Sequence, residues 1–111
     1  MPEDTKQFEA FFRAAFTHEP FDYQCRLAMH EEVYSLVNVP TGAGKTAAIL
    51  GAWLWRRLHS PTSVGRRLVY CLPMRTLVEQ TEKVACTAIT QLTARGIVNT
   101  DRFGVHVLMG G

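Results

Sequence analysis

The chain holds 111 residues, 47% hydrophobic and 20% charged, with a formal net charge of +2. That balance excludes a disordered tail, a collagen-like repeat and a multidomain enzyme, because roughly 100 to 200 residues make one domain. The longest apolar run, Ala47 to Trp55, falls well below the ~20 residues of a membrane span, and the polar opening Met1 to Gln7 lacks a secretory signal's basic and then apolar order. No membrane partner is expected, and the expected compartment is the cytoplasm.

Along the chain, Asp4 followed by Gln7 has the spacing of a capping box. Phe8, Phe11, Phe12, Ala15 and Phe16 recur on one helical face, so a first helix is predicted from about Thr5 to Thr17. Pro20 separates it from a second helix opening near Asp22, with Leu27 and Ala28 facing inward. Val33 to Val39 is β-branched and apolar and reads as a buried strand. A glycine turn, Pro40-Thr-Gly-Ala-Gly-Lys-Thr46, leads into an apolar helix from Ala47 to Leu58, closed by Arg56, Arg57 and His59 at the carbonyl end of its dipole. Leu68 to Leu72, ended by Pro73, reads as a second strand. Leu77, Val78, Thr81, Ala85, Ile89 and Leu92 mark one stripe of a long helix that stops at Gly96, and Val105 to Met109 reads as a third strand. Alternating strands and helices predict βαβ units and an α/β fold with a parallel sheet.

Cys25, Cys71 and Cys86 are widely spaced, with no Cys-x-x-Cys pair, and read as reduced packing residues. The charge is uneven. Residues 1–45 carry seven acids and four bases, net −3, while residues 46–111 carry three acids and eight bases, net +5. The second part is the one suited to a polyanion.

A strand, a Gly-x-Gly-Lys-Thr turn and a helix together form a phosphate cradle. Successive amides of such a loop, Thr41, Gly42, Ala43 and Gly44 among them, form an anion nest at the positive end of the following helix. Gly42 and Gly44 permit the backbone angles and the close approach that side chains block. Lys45 reaches the β- and γ-phosphates as a point charge, and the Thr46 hydroxyl holds a magnesium ion bridging them, so the expected ligands are ATP and Mg2+. Lys45 and Thr46 are the candidate catalytic residues. Val39 stands where the strict P-loop pattern has its first glycine.

In this variant form the segment resembles motif I of superfamily 2 helicases. Phe21-Asp-Tyr-Gln24 resembles their Q motif, which implies adenine recognition by Gln24, with Phe21 and Tyr23 packed nearby. An amide satisfies both a donor and an acceptor of adenine. Without the resemblance, Phe21 and Tyr23 read as core aromatics. Leu72 to Thr81 resembles motif Ia, which implies that Pro73, Arg75 and Thr76 grip a nucleic-acid backbone. Thr76 is the expected N-cap, and such contacts carry no sequence information.

These segments, with Trp53-Leu-Trp-Arg-Arg57 and Val105 to Gly111, are together similar to the start of the CRISPR-associated helicase of type I systems, over residues 21–111. The resemblance implies a P-loop NTPase, RecA-like lobe preceded by an N-terminal helix in residues 1–20. It also implies an ATP-driven motor on single-stranded DNA, recruited by an RNA-guided CRISPR effector complex in antiviral defence, with a metal-dependent HD nuclease doing the cutting. After Lys45 the acids are Glu79, Glu82 and Asp101, none paired as the helicase Asp-Glu motif is. An incomplete lobe, truncated before that motif and lacking turnover of its own, is therefore expected. Arg95 and Arg102 read as solvated surface, and His18, His30, His59 and His106 are too scattered for an HD site. The alternatives are another superfamily 2 motor, such as a restriction translocase or a DEAD-like RNA helicase, and a non-catalytic phosphate-binding or interaction module.

Overall fold

A computed structural model of the chain describes residues 2–29, 44–99 and 103–108. The helices are α1 (Pro2–Phe16), α2 (Asp22–Met29), α3 (Lys45–His59) and α4 (Arg75–Ala94), with a short 3-10 turn at Pro61–Ser63. α1 begins earlier than the Asp4 capping box implies, because Pro2 suits the first helical turn: its φ is preset and its missing N–H has no intrahelical partner to lose. Asp4 therefore lies inside the helix. α1 ends where Thr17 takes φ 67°, a left-handed angle unusual for a β-branched residue.

The expected α/β fold with its parallel sheet is overturned: among the described residues the regular structure is helical and no strand is present. Leu68 to Leu72 and residues 105–108 carry the β-type pattern, and Leu68, Tyr70 and Leu72 are half-buried while Val69 and Cys71 are exposed. Alternation is not pairing. A strand exists through hydrogen bonds to a neighbour, and among the described residues no backbone-to-backbone hydrogen bond of segments 67–72 or 103–108 is present. Val69 at 80% exposure and Leu108 at 95% show the same lack of cover. The predicted strand at Val33 to Val39 lies outside the described residues, as does Met109.

The core forms where the helical faces meet. Phe8, Phe11, Phe12 and Ala15 of α1 pack with Leu54 and Trp55 of α3, Ala88 and Leu92 of α4, and Ala28 of α2. The Trp55 ring stands edge-on to Phe8 and Phe11, with centroids 5.5 Å away in each case, a favoured arrangement of ring quadrupoles. Gly51 lets α1 approach closely, since a Cβ there would sit 3.3 Å from Phe16 and 3.4 Å from Phe12. α3 contacts each of the other three helices and buries residues around most of its circumference, from Ala47 to Arg56, as a central helix does.

Two ends are built by specific bonds. At the end of α4 the Gly96 amide donates to Thr93 O at 3.0 Å and the Ile97 amide to Leu92 O at 2.9 Å. With Gly96 at φ 72° this is a Schellman motif, so the stop expected at Gly96 is the one found. At the end of α3, Arg56 points to another helix, where its guanidinium donates to Leu27 O in the last turn of α2 at 3.1 Å. Burial lowers the Arg56 pKa, and the carbonyl end of α2 offers that desolvated cation negative potential.

Candidate functional site

The site is built at the start of α3. Gly44 caps the helix with φ 75° and ψ 35°, no side chain supplies a cap, and the first turn carries no acid. Lys45 and Thr46 are the first two helical residues. The amides of this first turn have no intrahelical carbonyl to meet, and the dipole adds positive potential. The described part of the expected phosphate loop is therefore an open donor set beside one ammonium and one hydroxyl. Thr41, Gly42 and Ala43 lie outside the described residues.

α2 holds this turn in place through one side chain. Gln24 is fully buried, its Oε1 accepts the Phe21 amide at 2.8 Å, and its Nε2 donates to Gly44 O at 2.9 Å. A Cβ at Gly44 would lie 2.6 Å from Gln24 Nε2, so glycine is required there by space as well as by φ. The residue expected to read adenine thus already joins its own turn to the cradle.

Phe21 and Tyr23 are brought together beside it. Their rings stack with centroids 6.4 Å apart and planes at 12°, and Phe21 is 55% exposed. Burial raises the Tyr23 phenol pKa, with a hydrogen bond to Gln24 acting the other way. This is an aromatic surface next to Gly44, where the core reading of Phe21 does not hold.

The motif Ia residues form a separate feature at the start of α4. Met74 takes the cap position with φ −130° and ψ 142° and no side-chain cap. Thr76 is thus the second helical residue and not the N-cap, because the helix starts one residue sooner, at Arg75. Pro73, Arg75 and Thr76 are all exposed.

One neighbour of the cradle was not legible in the chain. Tyr70 Oη lies 3.4 Å from Thr46 Oγ1, from a segment whose only signal was β-propensity. Among the described residues no group of three or more His, Cys, Asp or Glu is placed to hold a metal, and Thr46 Oγ1 is the oxygen suited to a hard cation in this turn. The donor set, the uncapped helix start and the glycine-only cap position fit a triphosphate with its magnesium.

The DEAD/DEAH box helicase profile matches residues 22–104. The chain belongs to the DEAD/DEAH box helicase family. The matched range begins in α2 and spans Gln24, Lys45, Thr46 and the start of α4. Membership in this superfamily 2 helicase family implies ATP-dependent helicase activity and the general use of ATP and Mg2+. Comparison with curated proteins and with solved structures gives no match. No described helix is long and apolar enough to cross a membrane.

Proposed function

We propose that the chain is the ATP-binding portion of an ATP-dependent helicase that moves on single-stranded DNA in type I CRISPR interference. The observation that carries the nucleotide part is the pairing of Lys45 and Thr46, opening an uncapped helix, with the buried Gln24 that braces Gly44. ATP, when bound, supplies a transferable phosphoryl group whose charge is spread over its oxygens. Lys45 Nζ and the first-turn amides bind that charge. The Thr46 hydroxyl holds the cation, and Phe21 with Tyr23 excludes water from one side of the base. The exposed start of α4, with Arg75, takes a nucleic-acid phosphate. The cytoplasm is the compartment that goes with this reading.

The CRISPR assignment is supported by the wording of the segments from Phe21 to Gly111, Trp53-Leu-Trp-Arg-Arg57 among them. The second reading is a DEAD-like RNA helicase, which the family match favours equally. Lys45→Ala should abolish nucleotide binding while nucleic-acid binding persists; unchanged nucleotide binding rejects the cradle. Arg75→Ala should weaken single-stranded DNA binding across all sequences and lower its salt slope by about 1. Preference for RNA in the same titration would reject DNA as the track.

A further inference from the structure

Thr46 does not stand alone at the start of α3. Its Oγ1 lies 3.4 Å from the Oη of Tyr70, a residue 24 positions further on. Tyr70 lies in the chain between α3 and α4, where exposure alternates: Leu68, Tyr70 and Leu72 are half-buried, Val69 and Cys71 exposed. A shift of one residue in this segment would turn Tyr70 to solvent.

A threonine hydroxyl has one proton and two lone pairs, and it rotates to suit its neighbours. Hydrogen-bonded through its proton, it keeps both lone pairs for an acceptor-seeking partner. A phenol oxygen is such a proton acceptor. No acid lies in the first turn of α3 to compete for that role.

We propose that Tyr70 is a positioning residue for Thr46: its phenol oxygen accepts the Thr46 proton and so aims the Thr46 lone pairs at the magnesium ion of a bound nucleotide. This rests on the reading of Thr46 as the cation ligand. Tyr70 restricts the rotation of the Thr46 hydroxyl, and it couples the segment between α3 and α4 to the cation.

The test uses the full chain and a fluorescent ATP analogue, titrated with and without Mg2+, for the wild type and Tyr70→Phe. The phenylalanine variant keeps the ring and its packing and removes only the oxygen. The expected result is unchanged affinity without Mg2+ and a Mg2+ midpoint raised about three- to tenfold, the range that one neutral hydrogen bond commands. A wild-type midpoint in the variant overturns the proposal. Equal loss of affinity with and without Mg2+ also overturns it, since that marks a purely structural role. If wild-type binding shows no Mg2+ dependence, or no nucleotide binds, the Thr46 reading falls and takes the proposal with it.

Discussion

The side-chain amide of Gln24 donates to the carbonyl oxygen of Gly44 across 2.9 Å, joining α2 to the residue that caps α3. The other end of the same carboxamide accepts the Phe21 amide at 2.8 Å, in a side chain with no solvent exposure. A buried amide bonded at both ends is rigid and costly to remove; the Gly44 carbonyl would keep the Ala48 amide, 2.9 Å away, while the Phe21 amide would lose its side-chain acceptor.

Gln24→Ala should lower stability by about 2 to 4 kcal/mol, since it leaves the Phe21 amide without its side-chain acceptor, removes one of two bonds to the Gly44 carbonyl and opens a cavity. Urea unfolding followed by circular dichroism measures it. A loss under about 1 kcal/mol would mean that water or a neighbour replaces both bonds.

Gly44→Ala should be harmful for two reasons that add. The left-handed φ of 75° costs a side-chain-bearing residue about 1 to 2 kcal/mol, and its Cβ would meet Gln24 Nε2 at 2.6 Å. We expect the variant to unfold at lower urea and to bind nucleotide more weakly. The double variant Gly44→Ala with Gln24→Ala should recover part of the loss, because the clash is then gone.

Arg56→Ala should destabilise by about 2 to 3 kcal/mol, the scale of a hydrogen bond made by a charged group. Its guanidinium donates to Leu27 O, and truncation also removes a buried stem. Nucleotide affinity should change little once the variant is folded. A thermal melt together with nucleotide titration separates the two effects.

Thr17→Gly should be stabilising by about 0.5 to 1 kcal/mol. Thr17 holds φ 67° at the end of α1, where glycine relieves backbone strain; the gain is reduced by glycine's greater freedom in the unfolded chain. The exposed Arg13–Glu19 ion pair, 2.8 Å long, spans the same turn and should contribute little by comparison. The midpoint of urea unfolding reads the difference.

The sequence by itself determined what depends on near neighbours. Periodicity located α1 and α4, Pro20 with Asp22 and the apolar run after the glycine turn located α2 and α3, Gly96 ended α4, and the order glycine, lysine, threonine placed an ammonium and a hydroxyl at a helix start. These follow from backbone angles and from contacts one turn away. Even there, the edges moved: Pro2 opened α1 ahead of Asp4, and Arg75 opened α4 ahead of Thr76, because helix ends turn on a single residue's angles.

Only the tertiary structure decided what depends on a distant partner. The short apolar run Leu68 to Leu72 has strand propensity, yet propensity supplies no hydrogen-bonding neighbour, so among the described residues the expected sheet did not follow. Gln24 could be marked as an amide with two functions, but its partner Gly44 is 20 residues away and is chosen by the packing of α2 on α3. The same holds for Arg56 with Leu27 and for Tyr70 with Thr46. Such pairs are set by which helical faces bury each other, and burial is a property of the assembled core rather than of any segment.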